Sequence, residues 1–482
     1  MTQLEQRDIQ AIVFTGYPKN PYAMYLLLEV LDAGRARRYL ARVADALTTG
    51  EPRTYGATTN LALTADGLRA LGLPERSLAT FSREFREGMS GAEHRSRILG
   101  DTDDSAPEQW LWGARGAPVH LMLMLFAPDE AQLVNAREAS RADYAGALRE
   151  VFVRDTVTLP ERREHFGFAD GIAQPRIAGS EGERPDVAAI QPGEFIFGYP
   201  NEYDKTPVSP SVARGLDAAR HLSPVLGAGG AADRDLGRNG SYLVVRQLEQ
   251  RVDAFWSAMA DYARDGAGAV DEQEAIRLAS KCVGRWPSGA PLVATPDRDD
   301  PALRNANDFM YAKEDPNGQA CPIGAHIRRT NPRDSLEPGP EASLRVVDRH
   351  RILRRGRSYG KPLAPFAHES KLAERGLFFI CVNANIRRQF EFIQQTWSNN
   401  TKFGGLYEDK DPLTGDQPVS GGTYTIPGLP VRRRLEKLAR FVRVRGGAYF
   451  FLPSVHAVRF LGALQGPTIK LAAGEAPASE RA

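Results

Sequence analysis

VHLMLMLFAPDEAQLVNAREAS, residues 119–140, carries a short apolar run across Pro128 into a helix-like stretch. A run of this length reads as a buried strand, and the proline stands where a helix begins. The same strand-then-helix unit recurs in YAMYLLLEVLDAGRARRYLARVADAL from Tyr22, SYLVVRQLEQRVDAFWSAMADYA from Ser241 and LFFICVNANIRRQFEFIQQTW from Leu377. In the first of these, Leu40, Val43, Ala44 and Leu47 fall at helical spacing. Two units lie in each half of the chain, with further strand candidates in IQAIVF (9–14) and FVRVRGGAYFFLP (441–453). The pattern predicts an α+β fold of two similar halves, each a mainly antiparallel sheet with helices packed on one face. No G-x-G-x-x-G loop follows a strand, which disfavours a dinucleotide-binding domain.

At 482 residues the chain exceeds the usual size of one domain. The expected division is an N-terminal half over 1–155, a C-terminal half over 156–470 and a disordered tail over 471–482, where AAGEAPASERA lies. Between the halves, residues 151–240 are rich in Gly, Pro and polar residues, as in AGSEGERPDVAAIQPGEF and LGAGGAADRDLGRNG, and read as loop. A loop that long in a compact protein points to function or disorder.

Composition narrows the function classes. The 62 Lys and Arg nearly balance the 60 Asp and Glu, for a formal charge of +2, so no whole-chain field draws nucleic acid or an acidic membrane. The apolar runs fall short of the roughly 18 residues of a membrane-spanning helix. MTQLEQRDIQ has neither the basic nor the apolar region of a secretory signal, and three scattered cysteines, Cys282, Cys321 and Cys381, suit free thiols. Together these predict a cytoplasmic protein without disulfides.

Three features carry possible chemistry. HFGFADGIAQP (165–175) sets Asp170 between glycines and beside Phe166 and Phe168. Taken alone, its D-G pair reads as a turn. Of the eight histidines, no two have the spacing of a zinc hydrolase. His326 follows Pro322, Ile323, Gly324 and Ala325 and precedes Arg328, Arg329 and Arg333. One imidazole with cations nearby suits a haem site, while the same residues also read as a core histidine beside a solvated basic run. HRILRRGRSYG (350–360) places Arg354 after an Ile-Leu pair, so that it points inward while its neighbours face water. That stretch also fits an edge strand with a basic outer face, or an RNA-binding patch, which the near-neutral charge disfavours.

Taken in order, GFADG (167–171), GRWPSGAPL (284–292), AHIRRTNPR (325–333), ILRRGRSYG (352–360) and NANIRRQFEFIQQTW (383–397) resemble the signature series of the dye-decolourising peroxidases. DIQAIVFTGY and LGDTDDSAPEQWLWGARGAPVH resemble that family's first half, and FVRVRGGAYFFLPS its last strands. The resemblance implies two ferredoxin-like halves forming a dimeric α+β barrel-like fold, with one b-type haem per chain in the C-terminal half. It implies that Asp170 and Arg354 stand on the distal side, that His326 is the axial iron ligand and that Arg333 meets a haem propionate. Leu377 and Phe379 match positions that wall the distal pocket, and Gly171 allows close approach to the haem face. A carboxylate is expected on the proximal imidazole. Glu391 is the candidate, with Asn399 and Asn400 standing near where some relatives have an acid.

The implied activity is oxidation of dyes, phenols and manganese(II) by hydrogen peroxide through a ferryl state, with Asp170 moving the proton and Arg354 stabilising charge on the departing oxygen. An apolar pocket raises the Asp170 pKa and Arg354 lowers it, and the sequence leaves the balance open. Trp286, Tyr359 and Trp397 are candidate electron carriers to bulky donors. A second reading is a haem-handling protein that stores haem or releases its iron. A third, a haem-free binding module, is disfavoured because it has no need of Asp170, His326 and Arg354 together. The partners expected are small molecules, with no nucleic acid or membrane, and a homo-oligomer is compatible with the sequence.

Overall fold

The computed structural model describes residues 3–51, 56–180, 189–226, 233–367 and 373–465. The expected tail over 471–482, His368 and parts of both Gly-rich stretches lie outside them. The first half runs β1 (Tyr22–Val30), α1 (Ala33–Val43), β2 (Thr58–Leu63), β3 (Leu121–Ala127), α2 (Glu130–Tyr144) and β4 (Leu148–Val157). The second half holds β5 (Ser241–Gln250), α3 (Val252–Tyr262), α4 (Glu272–Val283), α5 (His326–Thr330), β6 (Arg357–Tyr359), β7 (Gly376–Asn383), β8 (Val442–Leu452) and α6 (Val455–Ala463).

Strand order is β4-β1-β3-β2 in the first half and β6-β7-β5-β8 in the second, all antiparallel. Each half is therefore a ferredoxin-like sheet. The two join edge to edge at Ser358 with Val157 and at Phe451 with Leu63, so the strands close into a barrel. Closure removes the free edges that two separate sheets would expose.

The barrel explains why β3 reads as a continuous apolar run instead of an alternating one. Met122, Met124 and Phe126 point into the barrel, while Leu121, Leu123 and Leu125 lie under the outer helices, so both faces are buried. Inside, Tyr25 of β1 stacks on Phe378 of β7 at 4.6 Å and ties the halves together. Helix starts follow the expected chemistry: the Asp129 side chain, next to Pro128, accepts from Gln132 N, and that of Asp32 from Arg35 N.

Two expectations need correction. IQAIVF is a single 3-10 turn, Ala11–Val13, whose Ile9, Ile12 and Val13 join the barrel interior. The barrel closes without it, so the segment plugs the barrel and its carbonyls need other donors. The second correction bears on this: Arg355 and Arg357, expected to face water, turn inward, the first onto this segment and the second onto the chain that follows it. Arg355 donates to Ile12 O and Val13 O, and Arg357 to Asn20 O, Gly16 O and Tyr17 O. Between β4 and β5 the described residues form only short turns and two-residue ladders, as the loop reading expects.

Candidate active site

A cavity of about 1960 Å³, counting its open mouth, lies on the outer face of the second half's sheet. Leu248 of β5, Leu377 and Phe379 of β7 and Val444 of β8 form its floor, because alternate residues of these strands point away from the barrel. After β7 the chain does not form an α-helix. It winds into π-helical segments, Arg387–Glu391 and Ile393–Ser398, which present Phe390, Ile393 and Gln394 to the cavity.

The loop 164–171 brings Asp170 to the rim. Its backbone is pinned by Ala169 N to Pro287 O and Asp170 N to Arg162 O. Gly171 has φ +83°, a left-handed conformation that glycine adopts without strain, and a Cβ built there would meet nothing within 4 Å. Arg354 ends the two-residue strand Leu353–Arg354, which pairs with β7 and sends Leu353 into the barrel and Arg354 to the cavity. Arg354 Nη1 donates to Asp170 Oδ1 at 2.7 Å, and Gly171 N donates to the same oxygen at 2.6 Å. Burial pushes the Asp170 carboxyl up, but the Arg354 charge and these two bonds outweigh it and hold the group below the usual range.

His326 opens α5 and lines the same cavity, near enough for the charges of Arg354 and Asp170 to act on its ring. Its Nδ1 is 2.8 Å from Asp411 Oδ2. Asp411 is fully buried, and its Oδ1 accepts from Leu413 N and Thr414 N, both at 2.9 Å. Burial pushes the imidazole pKa down, and the Asp411 carboxylate more than restores it. With Nδ1 taken, the ring has Nε2 left for a ligand.

Comparison with known proteins gives this arrangement a family. Residues 219–431 match the family described as Dyp-type peroxidase, C-terminal. A dye-decolorizing peroxidase of Mycena epipterygia is 30% identical over 505 residues, covering 95% of this chain and 87% of that one. The chain belongs to the dye-decolourising peroxidases. The solved peroxidase of Auricularia auricula-judae is 26% identical with a TM-score of 0.77, over 96% of this peroxidase and all (100%) of that chain. A dye-decolorizing peroxidase in complex with 2,6-dimethoxyphenol has the same identity and TM-score, 26% and 0.77, over 95% of this chain and 100% of that chain. A deferrochelatase of Yersinia pestis, 30% identical, matches only 190 residues, 39% of this chain and 33% of that one.

The family implies a haem cofactor, and the donor set of this peroxidase fits one. An imidazole with one nitrogen held by a carboxylate stands in a cavity with apolar walls, and Arg333 and Arg351 line it as cations for acidic substituents. Arg333 packs over Phe309 at 3.9 Å and donates to Asn307 O and Phe309 O. The neighbours of His326 differ from it: Arg328 and Arg329 are buried away from the cavity on carbonyls and on Asp315.

Glu391 does not reach His326. It receives both Arg95 Nη1 contacts, at 2.9 and 2.8 Å, and the Tyr449 hydroxyl at 2.8 Å. Asn399 and Asn400 also lie elsewhere, the first bonded to Leu99 O and the second to Lys402 N. The residue missed is Asp411 in EDKDPLTGD, whose only sequence signal is an Asp that can accept from amides two and three residues on. Trp286, Tyr359 and Trp397 are 4%, 1% and 4% exposed, so a bulky donor cannot touch them.

Proposed function

We propose that this peroxidase holds one haem b per chain, which His326 Nε2 would bind, and that Asp170 and Arg354, lining the same cavity, work on hydrogen peroxide. One observation carries the reading: the Asp170–Arg354 pair, at 2.7 Å, shares a cavity with an imidazole whose other nitrogen is already engaged. Haem, when bound, supplies a redox-active iron that takes up the oxidising equivalents of peroxide and passes them to reducing substrates. Asp170 is ionised at working pH and uses Oδ2 to take the proton from one peroxide oxygen and return it to the other. Arg354 holds that carboxylate in place and stabilises negative charge on the departing oxygen. Asp411 fixes the His326 tautomer and increases the ring's electron donation. Arg333 meets a propionate, and Leu377 and Phe379 keep large molecules from the reacting oxygens.

Dyes and small phenols are the proposed reductants, in keeping with the relatives' names and the dimethoxyphenol complex. For manganese(II), no group of three or more His, Cys, Asp or Glu side chains suited to a metal gathers among the described residues. The haem-handling reading rests on a match to 39% of the chain, against 95% for the peroxidases. Adding peroxide to the purified holoprotein tests the proposal by the Soret band and 2,6-dimethoxyphenol oxidation. Sustained turnover supports it, whereas a Soret change followed by iron release with little turnover favours haem handling. His326→Ala is expected to lose haem, and unchanged haem content would overturn the ligand assignment.

A further inference from the structure

Glu164 lines the same cavity, six residues before Asp170, and is a carboxyl group to which the mechanism above gives no role. Among the described residues its carboxylate has three hydrogen-bond partners, all of them donors. Phe166 N reaches Oε2 at 2.8 Å, Phe168 N reaches Oε1 at 3.0 Å, and Gln250 Nε2 of β5 reaches Oε2 at 2.5 Å. These bonds close the backbone turn that leads to Asp170 and fasten it to the barrel wall. Phe166 and Phe168 then pack against Phe255 and Trp256 of α3.

Among the described residues no cation pairs with the carboxylate. On its own loop, Arg163 bonds to Gly167 O and pairs with Glu161, and His165 turns its Nε2 to Tyr359 O. On the packed strands and their ends, Arg251 donates to Arg440 O, Arg440 pairs with Asp103 and Asp104, and Arg375 donates to Lys361 O. The charge that bears on Glu164 is that of Asp170, and it has the same sign. A proton removes the charge that strengthens all three of these bonds, so the neutral carboxyl holds the turn more weakly.

We propose that Glu164 is a positioning residue for Asp170: its carboxylate closes the loop from which Asp170 reaches the cavity, and the loop loosens when the carboxylate takes up a proton. This rests on the reading of Asp170 as the proton-transfer group. Burial, partly offset by the Phe166, Phe168 and Gln250 bonds, pushes the Glu164 carboxyl up to about 7, so the closed form is present above that pH and lost below it.

The test uses the holoprotein. With isotope-labelled glutamate, infrared spectra should show a protonated carboxyl band that disappears with a midpoint near pH 7 in wild type and is absent in Glu164→Gln. The amide copies the neutral form, so the rate of reaction with peroxide should match wild type at about pH 5 and fall roughly tenfold below it at about pH 8, the size of one charge-assisted bond. If Glu164→Gln fails to fold, Gln250→Leu serves: the band midpoint rises above that of wild type and the rate at pH 8 falls. A labelled band that does not titrate between about pH 6 and 8 overturns the proposal. So does a wild-type to Glu164→Gln rate ratio that stays flat with pH while Asp170→Asn is impaired. A fully active Asp170→Asn protein instead overturns the reading of Asp170 on which the proposal rests.

Discussion

Asp411 holds His326 Nδ1 at 2.8 Å from 85 residues further along the chain. The carboxylate is itself fixed by the amides of Leu413 and Thr414, so the imidazole is set in both tautomer and direction. Asp411→Asn keeps the shape and removes the charge. The haem reduction potential is expected to rise and the reaction with peroxide to slow about 10- to 100-fold. Potentiometric titration and stopped-flow rates measure both, and an unchanged potential would remove Asp411 from this role.

Glu391 provides the contrast. It and Arg95 are a buried ion pair, 3% and 5% exposed at their side chains, between the π-helical segment and the N-terminal half. Glu391→Ala should cost about 2–3 kcal/mol of stability by taking one carboxylate from Arg95, which keeps Glu87 at 2.8 Å, and by leaving the Tyr449 hydroxyl without its acceptor. Denaturant unfolding reads this, and the reduction potential of folded variant should stay at the wild-type value.

For the Asp170–Arg354 pair, Arg354→Leu is expected to slow the reaction with peroxide more than Asp170→Asn does at mildly acidic pH, because charge stabilisation outweighs proton transfer there. The acid side of the pH profile follows from the lowered Asp170 pKa. On the proposed role, the ionised Asp170 is present above that pKa and lost as the pH falls through it, so the limb that belongs to Asp170 lies below the ordinary carboxylate range, apart from the Glu164 step near pH 7. Removing Arg354 raises the pKa, so the acid limb should move to higher pH. A fully active Arg354→Leu protein, or an acid limb that does not move, contradicts this assignment.

Arg357 gives a prediction about the fold alone. Its guanidinium is buried and serves Asn20 O, Gly16 O and Tyr17 O. Arg357→Met should fill much of the space yet strand the Asn20 and Gly16 carbonyls, Tyr17 O keeping Asn20 N, at a cost of about 3 kcal/mol or more. Thermal or denaturant unfolding measures the loss. Proteolysis should first cut the segment before β1, and resistance equal to wild type would mean that the Gly16–Asn20 stretch is held without Arg357.

What could be read from residue order was largely local. The four strand-then-helix units lie where their apolar runs placed them, because burial on both sides of a strand leaves a continuous apolar stretch in the sequence. Asp170, His326 and Arg354 could be named because glycine-flanked acids and isolated histidines and arginines in apolar surroundings stand out by residue type. Closure of the two sheets into one barrel was decided by tertiary structure, through single residue pairs at each seam that leave no local pattern. Once that closure occurs, IQAIVF becomes a plug with Arg355 as its donor, and Arg357 holds the chain from Gly16 to Asn20 that follows it. The partner of His326 was likewise settled only in three dimensions. In the π-helical segment the bonds run five residues back, as from Glu391 N to Ile386 O and from Asn399 N to Gln394 O, so helical spacing misjudges which side faces the cavity. Glu391 turns to Arg95, and the carboxylate that meets the ring comes from a loop. A loop carries no periodicity, so its side chains find their partners through the packing of everything around them.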